Sequence, residues 1–160
     1  TNWDNKFIDY VNELTDSCDT ILLGRKMTDG FVNYWENALK NPESKEYVFA
    51  KKMVNTPKIV FTKTLEKSQW NNTEINKGDL TEEINKLKEK NGKDIVVYGG
   101  TSFVANLIKE GLIDEFHLFI NPAVIGSGKK IFEKINRLNF KLVKSIPFDS
   151  GVVLLHYKVK

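Results

Sequence analysis

The stretch from Asp94 to Leu107 reads Asp-Ile-Val-Val-Tyr-Gly-Gly-Thr-Ser-Phe-Val-Ala-Asn-Leu. Its first part, from Ile95 to Tyr98, is an unbroken apolar and β-branched run, typical of a strand buried on both faces of a parallel sheet. A glycine pair, Gly99-Gly100, follows at once. Apolar residues then recur at helical spacing, namely at Phe103, Val104, Leu107 and Ile108. The stretch therefore predicts a strand, a tight turn and a helix, the repeating unit of an α/β fold.

The turn in this stretch is also a candidate ligand site. Glycine has no Cβ, so a flat ring or a phosphate can approach the backbone of Gly99 and Gly100 closely. The helix that begins at Thr101 and Ser102 directs free N–H groups and its positive dipole end at the same point, which favours an anion. A glycine pair is a weak motif, however, and a plain strand-to-helix turn has the same sequence. Both interpretations stay open on these residues alone.

Two more strand ends carry groups that suit an anion. A predicted strand from Thr20 to Leu23 runs into Gly24-Arg25-Lys26 at a helix start, where cations are unfavourable unless an anion is bound. A third strand, from Lys58, ends in Thr62-Lys63-Thr64, which adds hydroxyls and a cation. Solvated cations and a polar turn also explain these residues. Because the carboxyl ends of parallel strands share an edge, the three positions together predict a site for a long polyanion such as a dinucleotide.

The rest of the chain supplies helices between these strands and strands alone at its end. The further predicted elements are helices after Asp4, over Tyr47–Val54 and after Asp79, and strands at Thr73–Ile75, Phe116–Ile120, Phe140–Ser145 and Gly151–Val159. This order predicts one α/β domain over residues 1–160, with a mixed sheet flanked by helices and an antiparallel edge. The usual dinucleotide fingerprint of three spaced glycines is absent.

The composition restricts the compartment and the class of partner. The chain has 160 residues and a net charge of only +3, and its lysines are dispersed, so nucleic acid is not indicated as a partner. No apolar run is long enough to span a bilayer, and no signal-peptide pattern stands at the start. A single cysteine, Cys18, excludes an internal disulfide and fits a reducing cytosol, so a cytoplasmic protein is expected.

Isolated polar residues are weaker candidates for chemistry. Cys18, His117 and His156 do not make a convincing zinc ligand set, so no metal site is expected. His117 could act as an acid–base group, but a strand histidine packed against a core face is the commoner case. Asp114 and Glu115 are adjacent in an extended segment, so they point to opposite faces and cannot act together on one substrate. None of these residues identifies a reaction.

Five motifs taken together resemble dihydrofolate reductase-like proteins, and the last two narrow the match to the subgroup built like the C-terminal reductase domain of the bifunctional riboflavin-biosynthesis deaminase/reductase. They are, in order, Leu22-Leu23-Gly24-Arg25-Lys26, Lys58-Ile59-Val60-Phe61-Thr62-Lys63, Val97-Tyr98-Gly99-Gly100, Gly111-Leu112-Ile113-Asp114-Glu115 and Pro122-Ala123-Val124-Ile125-Gly126-Ser127-Gly128. The likeness covers nearly the whole chain.

The resemblance implies a fold and an activity. The fold is a mixed, mostly parallel sheet of about eight strands flanked by helices, with an antiparallel C-terminal edge. The activity is NADPH-dependent hydride transfer to a small heterocycle, pterin-like or derived from a pyrimidine. Homodimers are common in the family, and Val152 to Leu155 are candidates either for an interface or for the core.

The resemblance also assigns cofactor-binding residues. It places Gly24, Arg25 and Lys26 at the cofactor phosphates, and Thr62 and Lys63 near the adenosine 2′-phosphate. It places Gly99 and Gly100, which are often joined by a cis peptide in this family, under the nicotinamide and pyrophosphate. Thr101 and Ser102 provide the contacts at the helix start. Tyr98 is included with them because it and Trp35 are candidates for stacking on the nicotinamide or substrate, although aromatic core packing is equally compatible.

Two departures from the family pattern affect the expected activity. The family usually has threonine directly after Gly-Arg-Lys, whereas here Met27 stands there and Thr28 follows. Family members also begin with a strand and a Ser-Leu-Asp-Gly-like loop that lines the pocket. The present sequence starts after that region, so we expect the domain to lack its first strand. The proton donor is not identified, because Asp9 on the first helix is expected to face solvent. The alternative function is a non-catalytic nucleotide-binding or interaction protein that retains the fold.

Overall fold

The computed structural model describes residues 3–133 and 135–160, with five helices and seven strands in these ranges. The elements are α1 (Asn5–Asp16), β1 (Cys18–Gly24), α2 (Arg25–Ala38), α3 (Tyr47–Asn55), β2 (Lys58–Phe61), β3 (Thr73–Asn76), α4 (Leu80–Glu89), β4 (Asp94–Val97), α5 (Thr101–Lys109), β5 (Glu115–Ile120), β6 (Phe140–Pro147) and β7 (Val153–Val159). Each predicted helix and strand is present. None of the helices in the described ranges is long and apolar enough to cross a membrane.

The strands form two hydrogen-bonded sheets. Four strands make a parallel sheet in the order β3-β2-β1-β4, and three make an antiparallel sheet in the order β5-β7-β6. The expected α/β class with an antiparallel C-terminal part is confirmed. The expected number of about eight strands is corrected to seven in the described part of the chain. The sheet is divided because, within the described residues, β4 pairs only with β1 and β5 pairs only with β7.

Helices cover both faces of the parallel sheet, and strand β1 shows how. Ile21 and Leu23 point to one face and are fully buried in a cluster with residues of α1 and α3. Leu22 points to the other face and packs with Ile84 of α4 and Leu107 of α5. This alternation is the period of two that a strand imposes. It holds β1 between two helical layers, so that only its ends are open to ligands.

The first core cluster also joins the two sheets. Leu154 of β7 is 0% exposed and Val152 is 4% exposed, and both belong to the cluster that contains Ile21. These two residues are therefore core rather than interface. Although the described strands of the two sheets share no backbone ladder, the sheets share side-chain packing against α1.

Two predictions about burial are corrected. β4 was expected to be buried on both faces, but Ile95 to Val97 are only half-buried because β4 lies at the edge of its sheet. The alternation of Phe116, Leu118 and Ile120 predicts one buried face on β5, but only Phe116 is buried, at 5% exposed, while Ile120 is 52% exposed. β5 is likewise an edge strand. In both cases the pattern of apolar residues identified the strand but not its position in a sheet.

Candidate functional site

The three predicted anion positions lie at the carboxyl ends of neighbouring strands of the parallel sheet, which we call the glycine edge. Gly24 ends β1, Thr62 follows β2, and Gly99 comes shortly after β4. β1 pairs with β2 on one side and with β4 on the other. Since neighbouring strands lie about 4.8 Å apart, the outer two of these three strand ends are separated by about 10 Å. A single extended ligand can therefore reach all three.

Two helices begin at this edge without a side-chain cap. Gly24 is the N-cap of α2 and Gly100 is the N-cap of α5, and neither helix start receives a capping hydrogen bond from a side chain of residues 3–133 or 135–160. By contrast, the carboxylates of Asp4 and Asp79 cap α1 and α4. The first N–H groups of α2 and α5 are therefore left for another acceptor, and the dipoles of both helices favour an anion there.

The glycines allow the two helix starts to approach each other. The Gly24 N–H donates to the Gly99 carbonyl at 3.3 Å, and the Gly99–Gly100 peptide is cis, as the resemblance implied. A Cβ on Gly24 would lie 2.9 Å from the Cβ of Phe103. Gly99 has φ +144°, and a Cβ there would lie 3.2 Å from the Met27 sulfur. At Gly24 a side chain would push against Phe103 and the Gly100 backbone, whereas at Gly99 the positive φ disfavours any other residue.

The three cations at this edge differ in how they are held. The side chains of Arg25 and Lys26 are exposed, and neither forms an ion pair within residues 3–133 and 135–160. Lys63 instead donates to the carbonyls of Lys77 at 2.6 Å and Gly78 at 3.0 Å. Arg25 and Lys26 are thus available to an incoming anion, whereas Lys63 would have to exchange two hydrogen bonds.

The hydroxyl groups contribute less than the sequence suggested. Thr28 is fully buried, and its hydroxyl donates to the Gly24 carbonyl at 3.1 Å, within its own helix. Thr62 is 8% exposed, and its hydroxyl accepts from the N–H groups of Thr64 and Leu65. Ser102 is exposed at the start of α5 and Thr101 is half-buried. An anion at this edge would therefore meet backbone N–H groups and cations more than hydroxyls.

Aromatic side chains line the approach to the glycine pair. Tyr98 is 37% exposed and its ring lies 5.8 Å from that of Phe31. Burial raises the pKa of its hydroxyl above the ordinary value of a tyrosine. Trp35 packs against Phe49 with ring centroids 5.0 Å apart. Tyr98 thus keeps an accessible surface for a flat ligand, and Trp35 belongs mainly to the core.

The candidate acids lie away from this edge. Asp9 is exposed on α1, as expected. His117 is in the antiparallel sheet, where its Nδ1 lies 2.7 Å from the Tyr10 hydroxyl. Burial and the neighbouring His156 lower the pKa of His117 to about 4, so it is neutral at pH 7. No proton donor is therefore apparent at the glycine edge within the described residues.

Sequence reasoning missed one cluster of polar residues. His117 and His156 are paired across β5 and β7, and the Glu115 carboxylate lies 2.6 Å from the Nε2 of His156. The available signal was that the two histidines stand on the same face if the strands pair in this register. That register is a long-range property, and the strand patterns alone did not determine it.

A cleft at the opposite edge of the parallel sheet is a weaker candidate. It is lined by residues that include Thr20, Lys58 and Lys93, near the amino ends of β1, β2 and β4. Ligands of open parallel sheets gather at the carboxyl ends of the strands. The glycine edge, with its two free helix starts, is therefore the better candidate.

Comparison with known proteins agrees with this fold. The family model described as the RibD C-terminal domain matches residues 3–154. The uncharacterized protein YyaP of Bacillus subtilis (strain 168) is 39% identical over 157 residues, which cover 96% of this chain and 79% of that protein.

Two solved structures have a similar fold. A putative riboflavin biosynthesis protein from Shewanella sp. PV-4 has a TM-score of 0.74 at 23% identity, over 100% of this chain and 82% of that one. A pyrimidine reductase-like protein from Corynebacterium diphtheriae has a TM-score of 0.61 at 16% identity, over 99% of this chain and 83% of that one. At these identities the likeness is one of fold.

Proposed function

The chain belongs to the RibD C-terminal domain family, and we propose that it is an NADPH-dependent reductase of a small heterocycle, pterin-like or derived from a pyrimidine. The observation that carries the proposal is the pair of uncapped helix starts at Gly24 and Gly100, beside two exposed cations. The two similar structures, a putative riboflavin biosynthesis protein and a pyrimidine reductase-like protein, support the substrate class. A cytoplasmic location fits the single cysteine.

NADPH fits the donors at this edge. Its pyrophosphate would accept hydrogen bonds from the first N–H groups of α2 and α5, where the dipoles of both helices favour negative charge. Arg25 and Lys26 would neutralise the remaining phosphate charge, and the 2′-phosphate would select Arg25 or Lys63. Thr101 and Ser102 stand at the start of α5, beside the same N–H groups.

The protein's part in the reaction is positioning. When bound, the cofactor supplies the hydride. Gly99 and Gly100 permit the nicotinamide to lie against the backbone, and the exposed ring of Tyr98 offers a face on which a flat substrate can stack. Phe31, whose ring lies 5.8 Å from that of Tyr98, extends this apolar surface. Such a surface excludes water from one side of the reacting rings.

The test is isothermal titration of the protein with NADPH and, separately, with NADH. We expect salt-sensitive binding of NADPH and weaker binding of NADH, because only NADPH carries the 2′-phosphate. Arg25→Gln should weaken NADPH by about 10-fold to 100-fold, the value of a charge-assisted hydrogen bond, and NADH by less. Lys63→Gln is measured in parallel. Lys109→Gln, which removes one positive charge at the far end of α5, is the matched control and should bind like the wild type.

The outcomes separate the two candidate functions. An equal loss of NADPH and NADH affinity in Arg25→Gln and in Lys63→Gln would refute both 2′-phosphate assignments. Binding of NADPH without oxidation in the presence of any pyrimidine or pterin tested would favour a non-catalytic nucleotide-binding protein. Two observations favour this non-catalytic alternative: Asp9 is exposed, and the hydroxyls of Thr28 and Thr62 are already hydrogen-bonded within the chain.

We also propose that the protein is a homodimer. Apolar side chains are exposed on β5, on β6 and on the segment between them, namely Ile120, Val124, Ile125, Phe132, Leu142 and Val143. Val124 is 99% exposed and Ile125 is 80% exposed, an unusual state for two adjacent aliphatic residues. A second copy that covers this surface would bury both.

Sedimentation equilibrium tests the dimer. Val124→Glu should shift the protein toward the monomer, because it places a charge in the proposed interface. Val48→Glu is the matched control, since Val48 is 55% exposed on α3, outside the proposed surface. A wild-type monomer, or a dimer that both variants leave unchanged, would contradict this assignment.

A further inference from the structure

Three metal-ligating side chains meet on one face of the antiparallel sheet. Glu115 and His117 lie two residues apart on β5, and His156 of β7 is directly opposite His117. Each side chain offers one nitrogen or oxygen atom, and these three atoms lie within 4.8 Å of one another. The two imidazole rings are stacked, with centroids 4.1 Å apart and planes inclined by 19°. This face is turned toward α1, which contributes Tyr10.

Hydrogen bonds account for only part of this arrangement. The Tyr10 hydroxyl lies 2.7 Å from the Nδ1 of His117. This contact fixes the ring and leaves its Nε2 as the nitrogen that can bind a metal. His156 is 8% exposed, and its Nδ1 is buried with no hydrogen-bond partner in the part of the chain that the structure describes. Buried polar atoms without a partner are uncommon and call for an explanation. The Nε2 of the same ring lies 2.6 Å from the Glu115 carboxylate. A cation bound to the Nδ1 would give the ring a second partner.

We propose that Glu115, His117 and His156 bind a late first-row divalent cation such as Zn²⁺. Two imidazoles and one carboxylate are a known three-ligand set for zinc, with a fourth position left for water. Imidazole nitrogen favours zinc, nickel and copper over the hard cations magnesium and calcium. The Tyr10 hydroxyl would hydrogen-bond to the ring nitrogen of His117 that does not bind the metal, and so would orient the ring. Most metal-bound histidines have such a hydrogen-bond partner.

Metal binding requires modest rearrangement. Tetrahedral ligand atoms at about 2.1 Å from zinc are about 3.4 Å from one another, so the widest separation must shorten by about 1.4 Å. The Glu115 side chain is 39% exposed and can move. The histidine planes must also tilt, because a metal lies in the plane of each ring that binds it. Lys158 holds the other carboxylate oxygen of Glu115 at 2.8 Å and competes with the metal for the charge.

The proposed metal site is separate from the glycine edge. Its three ligands belong to the antiparallel sheet, which shares no backbone ladder with the parallel sheet among the described residues. The inference therefore does not depend on the proposed reductase activity. A cation that ties β5 to β7 would stabilise the folded chain, because it binds the native state and not the separated strands.

The test is titration of the purified, metal-stripped protein with Zn²⁺ alone, followed by competition with a chromophoric chelator. We expect one Zn²⁺ per chain and a rise in the temperature of unfolding. Glu115→Gln and His156→Ala should each weaken binding by at least about 100-fold, and Tyr10→Phe by about 10-fold. Lys158→Ala should strengthen binding, because it removes the competing cation. Substitution with Co²⁺ adds the visible absorption of a tetrahedral site, which His117→Ala should abolish.

Controls distinguish this site from adventitious binding. Cys18→Ser removes the one thiol of the chain and should leave the Zn²⁺ affinity unchanged. Glu115 is partly exposed, so its glutamine variant is expected to fold and keeps the test independent of His156 burial. No stoichiometric Zn²⁺ binding, binding unchanged in Glu115→Gln, or binding lost in Cys18→Ser would each overturn the proposal.

Discussion

The buried amine of Lys58 gives the folded protein a specific dependence on alkaline pH. Lys58 is 3% exposed, and its Nζ donates to the carbonyls of Val54 at 2.9 Å and Thr56 at 2.8 Å. These carbonyls are at the C-terminal end of α3, where a cation is favoured. Burial nevertheless lowers the pKa of Lys58 from 10.5 to about 8, a fall that the carboxylate of Glu36 partly opposes.

The sign of the effect follows from proton binding. Between pH 8 and 10.5 the unfolded chain keeps the Lys58 proton and the folded chain loses it, so the free energy of unfolding rises with pH across this window. Below pH 8 both states are protonated, and the full cost of the buried charge is present. The pKa difference corresponds to an upper limit of about 3 kcal/mol for this cost.

Urea unfolding of the wild type and of Lys58→Met, measured from pH 7 to pH 10.5, tests this reasoning. Methionine keeps an unbranched stem and removes the charge, so the wild type should gain up to about 3 kcal/mol relative to the variant as the pH rises. Taking the difference cancels the titration of the other lysines and tyrosines. Lys51→Met, at an exposed position of α3, is the matched control and should give a constant difference. A constant difference for Lys58→Met as well would refute the buried charge.

Two further substitutions test the glycine edge and the shared core. Gly24→Ala should lower the stability by about 1–3 kcal/mol and weaken NADPH binding, because the new Cβ would lie 2.9 Å from that of Phe103. Gly30→Ala is its control: a Cβ on Gly30 would have open space around it, so this substitution should stabilise α2 by about 0.5–1 kcal/mol. Leu154→Ala should cost about 2–5 kcal/mol in urea unfolding because the side chain is fully buried, whereas Val48→Ala, at a position that is 55% exposed on α3 and outside the proposed dimer surface, should not lower the stability.

Local chemistry made the helix starts and the turns predictable. The Asp4 and Asp79 carboxylates accept hydrogen bonds from the N–H groups of the first turn, and a capping residue specifies this bond within three positions of itself. Gly24 and Gly99 could be located as strand ends because each follows an apolar strand pattern and precedes a helical one. Both features depend on neighbours in the chain, which the sequence displays directly, whereas the contacts of Gly24 with Phe103 and of Gly99 with Met27 join residues that are far apart in the chain.

Features that depend on distant pairing were less accessible. The burial of β4 and β5 was overestimated because both strands are at sheet edges, and an apolar run does not encode its neighbours. The contact of His117 with His156 depends on the register of two strands that are far apart in the chain. The hydroxyl of Thr62 was predicted near a phosphate but accepts hydrogen bonds from nearby backbone N–H groups, a bond that short polar side chains commonly form.

The side-chain caps of the helices at the glycine edge help to decide whether Arg25 or Lys63 contacts the 2′-phosphate of NADPH. α4 follows the outer strand β3, and its N-terminus carries the Asp79 carboxylate. That negative charge disfavours a phosphate near β3, and Lys63 is tied to the carbonyl of Gly78, the residue directly before Asp79. Arg25 stands instead at an uncapped helix start between β2 and β4. Arg25→Gln should therefore reduce the preference for NADPH over NADH more than Lys63→Gln does, and the reverse order in the titrations would show that the phosphate lies toward β3.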